Sequence, residues 1–160
     1  MKKLSLIYLL VIFFGSCTIN KHLDPTLLPA ITNTGANTFG CLVDNWVVVG
    51  GRYYDIGFYG DGGSINFYYY ELSNYIDVRV KIDEEPNRYF EFRINNVIKD
   101  APLPQKCTFE NARISGISLD VSGDVTVTYL NDSAQIISGT FFGTRITEGR
   151  FDVNYRQINF

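Results

Sequence analysis

The sequence predicts an all-β protein, with a single antiparallel β-sandwich or barrel-like domain over residues 38–160. Val, Ile, Thr, Tyr and Phe dominate the chain, which has 11 Tyr and 12 Phe, and these residue types fit a pleated sheet. No stretch places apolar residues at the i, i+3, i+4, i+7 spacing of an amphipathic helix. Alternating segments instead recur at intervals of roughly ten residues with turn residues between them, which is typical of sandwiches and barrels.

The first 16 residues have the layout of a secretory signal peptide. Two lysines precede an apolar run over residues 4–14, and two small residues separate that run from Cys17. A helix of this length spans about 16 Å, whereas the hydrocarbon core of a bilayer is about 30 Å thick. We therefore expect residues 1–16 to be a signal peptide rather than a transmembrane helix.

The residues from Phe14 to Cys17 resemble a bacterial lipobox, in which small residues precede a cysteine that receives diacylglycerol. The resemblance implies a mature protein that begins at lipid-modified Cys17, although Phe14 stands where an aliphatic residue is common. The alternative is an ordinary signal peptide followed by an unmodified cysteine. Acyl chains contribute about 0.8 kcal/mol per buried CH₂, so two or three of them would make a permanent anchor.

Residues 17–37 are predicted to be the acylated cysteine and a flexible tether, because they contain Pro and Gly and show no apolar periodicity. Removal of residues 1–16 takes away two of the 14 Lys and Arg and none of the 17 Asp and Glu, which leaves 12 cations against 17 anions. No basic cluster is present, so a nucleic-acid partner is disfavoured. The expected connection to the membrane is the lipid alone.

The sequence NYIDVRVKIDEEPNRYFEFRIN (residues 74–95) contains the clearest hairpin. Apolar and charged residues alternate on both sides of a connection at 83–87, and Pro86 within it cannot donate to a strand ladder. Only one register matches both faces, and it has these pairs: Val80 with Phe90, Val78 with Phe92, Arg79 with Glu91, and Asp77 with Arg93. We expect its outer face to be a solvated ladder of ion pairs rather than a binding site.

The other strands are separated by turn residues such as Asp44 and Asn45. The segment 96–106 contains two prolines and is predicted to be a loop. The predicted strands are 39–43, 46–49, 65–71, 107–114, 125–130, 136–145 and 150–155.

Residue types that support catalysis or metal binding are scarce. The only histidine, His22, lies in the tether, which excludes a Ser-His or Cys-His pair within the domain and disfavours a zinc site. The sequences FYGDGGS and DVSGDV lack the ligand spacing of a calcium loop. We predict no catalytic residue, metal or cofactor. Five carboxylates are expected on outward positions or turns as solvated charge: Glu71, Glu110, Asp124, Glu148 and Asp152.

Three consecutive tyrosines, Tyr68, Tyr69 and Tyr70, form the candidate binding surface. Side chains alternate along a strand, so at least one aromatic residue here points away from the core side of this strand. Exposed tyrosines can stack on sugar rings or on a partner protein because they combine an apolar face with a hydroxyl group. The alternative is that other parts of the chain cover both faces.

Two further sites rest on single residues or pairs. Cys41 and Cys107 are the two thiols of the domain, and an oxidising compartment favours a disulfide between them, which would stabilise by about 4 kcal/mol; the alternative is two buried thiols. Ser133 lies in the sequence NDSAQ, which resembles the Asp-Ser/Thr-small-apolar acceptor of protein O-glycosylation in Bacteroidota. The alternative for Ser133 is an unmodified turn residue.

Three segments in addition to the lipobox resemble landmarks of a family of small Bacteroidota outer-membrane lipoproteins of unknown function. They are LLPAITNTGANTFGCLVDNWVV (residues 27–48, with TFGCLVD at its centre), IISGTFFGTRI (136–146) and ITEGRFDVNY (146–155). The resemblance implies an all-β domain outside the cytoplasm and no assigned activity. Surface-exported lipoproteins of this phylum tend to carry acidic residues directly after the acylated cysteine. TINKH has none, which favours a periplasm-facing position, with the cell surface as the alternative.

Together these features predict a lipid-anchored, non-catalytic lipoprotein that binds a protein or glycan partner or has a structural role. A small-ligand carrier of the barrel type is the first alternative, and a concave pocket lined by Tyr and Phe would favour it. A hydrolase is the second alternative, and it would require two carboxylates that face each other across a cleft.

The lipobox resemblance predicts that membrane fractions contain a form of the protein with an acylated N-terminal Cys17. Mass spectrometry of the N-terminal peptide should detect the acyl chains, and Cys17→Ser should release the protein from the membrane after cleavage or leave residues 1–16 attached. Recovery of the unsubstituted protein as a soluble species that begins at another residue would contradict this assignment.

Overall fold

The computed structural model describes residues 28–50, 65–82 and 88–158. Within these ranges the chain forms strands and one short 3₁₀ turn, Glu71–Ser73. The strands are β1 (Thr38–Val43), β2 (Trp46–Gly50), β3 (Ile65–Tyr70), β4 (Tyr75–Lys81), β5 (Tyr89–Asn95), β6 (Gln105–Ile114), β7 (Ile117–Ser118), β8 (Gly123–Asn131), β9 (Ile136–Gly143), β10 (Ile146–Asn154) and β11 (Arg156–Ile158).

All eleven strands belong to one sheet, in the order β11-β3-β4-β5-β6-β8-β9-β10-β1-β2, with β7 paired to β6. The sheet curls strongly into a half-barrel, which confirms the all-β, barrel-like prediction. The expectation of purely antiparallel pairing was wrong at one edge. β11 pairs with β3 in parallel, because the chain continues past β10 with only Tyr155 between the two strands.

The hairpin of β4 and β5 has the predicted register. Val80 lies opposite Phe90, Arg79 opposite Glu91, and Asp77 opposite Arg93. The turn between β1 and β2 also forms where the sequence predicts it. Asp44 and Asn45 both have positive φ angles, 48° and 67°, which is the backbone of the two-residue turn that suits the twist of a hairpin.

Strand ends differ from the prediction by a few residues, and two short strands, β7 and β11, were missed. β6 begins at Gln105, so the predicted loop is two residues shorter than expected. The predicted strand 136–145 ends at Gly143, and β10 already begins at Ile146. β11 has no apolar alternation in its three residues and depends on pairing with β3, which a local pattern does not reveal.

Phenylalanine rings fill the interior of the half-barrel. The ring of Phe39 on β1 lies 5.8 Å from that of Phe90 on β5, so these strands face each other across the core. Phe92 and Phe141 stack at 5.2 Å, and Phe109 packs edge-on against Phe141 at 6.0 Å. Ring pairs of this geometry contribute about 0.5–1.5 kcal/mol each beyond the burial of their surface.

Residues 28–37 lie against the outer face of the sheet, so the prediction of a flexible tether extending to residue 37 was wrong for its last part. The backbone N–H groups of Thr34, Gly35 and Ala36 donate to the carboxylate of Asp152 at 2.9–3.1 Å, and the Thr32 hydroxyl donates at 2.6 Å. Farther along, Pro29 covers Gly40, where an added Cβ would lie 2.6 Å from the proline ring. The segment has no strand pairing, so its order comes from these contacts.

Asp152 also departs from the prediction that it is a solvated surface charge. It points outward from β10, but residues 32–36 cover it and leave 1% of its surface exposed. Burial raises its pKa, while hydrogen bonds from Thr32 and Ser138 and from the backbone of residues 35 and 36 lower it more strongly, so the net pKa lies well below the usual range. The Ser138 hydroxyl donates from β9 at 2.7 Å.

The predicted disulfide is absent from the structure, in which Cys41 and Cys107 are both free and buried. Cys41 lies on β1 and Cys107 on β6, and β8, β9 and β10 separate these strands in the sheet. The Cys107 thiol donates to the carbonyl of Asn96 at 3.3 Å, and burial raises the pKa of Cys41 to about 12.

Substitution of Asp152 tests whether its carboxylate holds residues 28–37 in place. Asp152→Asn should lower the free energy of unfolding at pH 7 by about 2–4 kcal/mol, because several buried donors lose an ionised acceptor. Asp124→Asn, an exposed outward-facing aspartate on β8, should change it by less than about 0.5 kcal/mol. Urea denaturation of the three proteins measures both effects.

The same experiment carried out over a pH series has a defined sign. The folded pKa of Asp152 lies below its unfolded value of about 3.9, so its contribution is complete above that pH and is lost as the pH falls toward the folded pKa. The stability gap between wild type and Asp152→Asn should therefore narrow below about pH 4. A gap that is absent at neutral pH, or that widens on acidification, would contradict this role.

Candidate functional site: the outer face of β3 to β6

The outer face of β3, β4, β5 and β6 presents three rows of side chains across the sheet. Cross-strand pairing defines the rows, because residues in register on neighbouring strands point to the same side. The first row is Asn66, Arg79, Glu91 and Arg113; the second is Tyr68, Asp77, Arg93 and Glu110; the third is Tyr70, Tyr75, Asn95 and Thr108.

The three candidate tyrosines do not share this face. Tyr68 and Tyr70 point outward and are half-buried, whereas Tyr69 points into the core and is 1% exposed. The Tyr69 hydroxyl donates to the carbonyl of Val97 at 3.1 Å, and its ring packs edge-on against Tyr155 at 5.8 Å. The prediction that Tyr69 belongs to a binding surface was therefore wrong, because strand alternation places it inside.

A concave hollow of about 370 Å³ lies on this outer face. Tyr68 and Tyr70 form one flank, and Asn111 and Arg113 of β6 form the opposite flank. The charged pairs on β4 and β5 lie between them. The hollow thus combines the predicted tyrosines with the ion-pair ladder that we expected to be only a solvated surface.

A β-bulge in β6 shapes the far side of the hollow. Glu91 and Arg93 are two residues apart on β5, but their partners Arg113 and Glu110 are three apart on β6. The extra residue of β6 lies between Glu110 and Arg113, and this stretch includes Asn111, whose φ angle is 58°. A bulge bends its strand and redirects side chains, so the regular ladder is interrupted here and Asn111 and Arg113 line the hollow.

Two ion pairs occupy the centre of the hollow. Arg93 donates to both oxygens of Asp77, at 2.7 and 3.2 Å, and Arg79 lies 3.2 Å from Glu91. The hydrogen bond to Asp77 raises the pKa of Arg93 further above its ordinary value, so its guanidinium group stays charged. Each carboxylate has unused lone pairs and each guanidinium has several donors, so these groups can also bind a ligand.

Aromatic rings stack against the charged pairs. The rings of Tyr70 and Tyr75 stack at 4.6 Å, and the Arg93 guanidinium lies 4.1 Å from the centre of the Tyr75 ring. Burial, followed by the nearby charge of Asp77, raises the pKa of Tyr70. Its hydroxyl therefore stays protonated at neutral pH and can donate a hydrogen bond.

The charged residues of the first two rows form a grid in which the sign of the charge alternates both along each row and from one row to the next. Arg79, Glu91 and Arg113 read plus, minus, plus along the first row, and the second row reads the reverse with Asp77, Arg93 and Glu110. The formal charges of these six residues sum to zero. A ligand at this face meets alternating donors and acceptors without a net electrostatic preference.

The five carboxylates singled out in the sequence do not line the hollow, although Glu110 belongs to the second row of this face. Glu110, Asp124 and Glu148 are exposed, as expected. Glu71 is half-buried and lies 3.7 Å from Lys99, which also contacts Asp132 at 2.8 Å. In the described ranges, no three His, Cys, Asp or Glu side chains form a group that could hold a metal ion.

Ser133 lies exposed in the turn between β8 and β9, next to Asp132. The Asp132 carboxylate accepts hydrogen bonds from Lys99 and from the Tyr155 hydroxyl, the latter at 3.0 Å, and the hydrogen bond with Lys99 is the main cause of its lowered pKa. Glycosylation of Ser133 stays a prediction. The proposed acylation site, Cys17, lies outside the described residues.

Comparison with protein-family models, with curated proteins and with solved structures finds no match to this chain. Among the described residues, no helix is long and apolar enough to cross a membrane. The functional interpretation therefore depends on the geometry of the outer face and on the sequence patterns.

The position of each tyrosine can be tested by truncation. Tyr69→Ala should lower the free energy of unfolding by about 3–5 kcal/mol, because it empties a buried site. Tyr68→Ala should cost about 1 kcal/mol or less, because its side chain is on the outer face. Thermal and urea denaturation measure both changes; equal losses for the two variants would contradict their assignment to opposite faces.

Proposed function

We propose that this chain is a non-catalytic binding protein and that the hollow on β3 to β6 captures a saccharide. One observation carries the proposal: Tyr68 and Tyr70 flank a concave surface in which carboxylates and guanidinium groups alternate. Sugar hydroxyl groups both donate and accept hydrogen bonds, and the C–H faces of sugar rings pack on aromatic rings. This surface offers partners for both.

Its charge balance favours a neutral saccharide over an ionic ligand. Arg79 and Arg93 are each paired with a carboxylate, so neither presents an uncompensated charge to a ligand. A nucleic-acid backbone requires net positive charge at the surface, and the six-residue grid has none. The mature chain as predicted is also acidic overall.

The size of the hollow favours a small ligand over a folded protein. Ligand clefts usually measure about 300–1,000 Å³, and this hollow of about 370 Å³ is at the lower end. A protein partner is the second candidate, because Tyr and Arg are enriched at the centres of protein interfaces. An extended segment of a partner would fit better than a flat surface.

The two alternatives from the sequence have less support. A carrier would hold its ligand inside the barrel, but in the described residues the Phe39, Phe92 and Phe141 rings contact one another there. A hydrolase would need an acid and a base free to act, whereas Asp77 and Glu91 are each held by an arginine. We propose that the protein is anchored by lipid at Cys17, on the periplasmic side of the outer membrane.

Binding of neutral oligosaccharides to the full chain, measured on a glycan array and by calorimetry, tests the proposal. Tyr68→Ala and Tyr70→Ala should each weaken binding roughly 2- to 10-fold, which corresponds to the loss of one stacking contact. Tyr129→Ala is the matched control, because this half-buried tyrosine lies on β8 outside the hollow. It should leave the affinity unchanged.

The salt dependence separates a saccharide from an ionic ligand. Affinity should stay within about twofold between low and high ionic strength, since the central charges are already paired. Binding confined to anionic polymers and abolished by salt would contradict the proposal. If no saccharide binds while the Tyr70 variant loses capture of a purified partner protein, the hollow would be a protein site instead.

A further inference from the structure

One end of the half-barrel carries large apolar side chains in water. This end, here called the Trp46 end, comprises Trp46 with the turn at 44–45, the turn at 144–145, and residues 115–120. Arg145 joins the three parts: it forms an ion pair with Asp44 and donates to the carbonyl of Leu119 at 3.1 Å. The parts therefore form a continuous surface rather than separate loops.

Trp46 and Ile117 are among the most exposed apolar residues that the structure describes, at 78% and 72%. Trp46 is two residues from Asp44 and Ile117 is two residues from Leu119, and Arg145 contacts both Asp44 and Leu119. Trp is the residue type most characteristic of the boundary between a bilayer and water, because its ring is apolar and its N–H can donate to polar groups.

The N-terminal segment leaves the domain toward this end. β10 begins at Ile146, which pairs with Val43 at the Trp46 end, and runs away from that end to Asn154. Traced backward, the segment passes from Ala36, which donates to Asp152, to Pro29, whose carbonyl accepts from Arg150. The described part of the segment therefore runs along β10 from Asp152 to Arg150, in the direction of the Trp46 end.

The length of the preceding chain keeps this end close to the anchor. Eleven residues connect Cys17 to Leu28 and reach at most about 40 Å when fully extended. The distance along β10 from Arg150 back to its first residue is about 13 Å. Eleven residues are therefore long enough to reach past the Trp46 end. Tethering at such a distance gives the Trp46 end an effective concentration at the bilayer in the millimolar range. At that concentration even a weak attraction to the bilayer surface keeps this end bound.

We propose that the Trp46 end docks on the bilayer that holds the N-terminus, with Trp46 and Ile117 at the level of the lipid headgroups. The proposal depends on the expected N-terminal membrane anchor and is independent of saccharide binding. It would orient the domain upright, with the hollow on its side and accessible to a ligand.

The charges near this end specify the kind of lipid. Asp44 and Arg145 neutralise each other, and the other charged residue of the Trp46 end is Asp120, which is exposed. An anionic surface would repel the Asp120 carboxylate, whereas a zwitterionic surface would not. The docking surface is therefore a neutral, phosphatidylcholine-type bilayer rather than an acidic one.

The fluorescence of Trp46 tests the docking directly, because it is the only tryptophan in the chain. The full chain is reconstituted in phosphatidylcholine vesicles, where either acylated Cys17 or the apolar run 4–14 holds it. Phosphatidylcholine with brominated acyl chains should quench the emission, and quenching by acrylamide in the water should fall roughly twofold or more relative to the protein in solution. Emission that stays that of a fully exposed indole, with no effect of bromine, would overturn the proposal.

Matched variants locate the contact. Ile117→Asp should reduce quenching by the brominated lipid, whereas Leu72→Asp, at an 83% exposed position at the opposite end, should not. Replacing part of the lipid with phosphatidylglycerol should also reduce it. Equal loss of quenching in both variants, or stronger quenching with the anionic lipid, would contradict docking through the Trp46 end.

Discussion

The buried carboxylate of Asp152 determines how the first described residues join the sheet. A carboxylate that is almost fully covered is costly unless nearly all of its lone pairs are occupied. Donors from Thr32 to Ala36 and from Ser138 meet this requirement. The segment cannot leave without exposing or orphaning these groups, so the outer face around Asp152 and Ser138 stays covered.

This arrangement leaves the opposite side of the half-barrel for function. Phe39 on β1 meets Phe90 and Phe92 on β5 across the core, so β1 and β5 form opposite walls. One wall is covered by residues 28–37 and the other presents the hollow. Because rings fill the interior between these walls in the described part of the chain, we place the proposed binding site on the outer surface.

The hollow itself depends on an irregularity. A regular ladder of alternating charges would form a flat, solvated surface, as charged outer faces of sheets usually do. The bulge at Asn111 places Arg113, instead of Ala112, opposite Glu91 and bends β6 at this point. The same ion pairs then line a concavity beside two tyrosines, and groups that otherwise only solvate a sheet become available to a ligand.

The sequence by itself determined the fold class, the register of β4 and β5, and the turn at Asp44 and Asn45. These features follow from period-2 alternation, charge matching and turn chemistry, which act between residues that are close in the chain. It also placed Tyr68 and Tyr70 on one face, although it could not say which face was the core. The tertiary structure alone decided that Tyr69 is internal, that Cys41 and Cys107 are both buried as free thiols, and that residues 28–37 cover Asp152. Each of these depends on which distant strands become neighbours when the sheet curls, and no local pattern encodes that order.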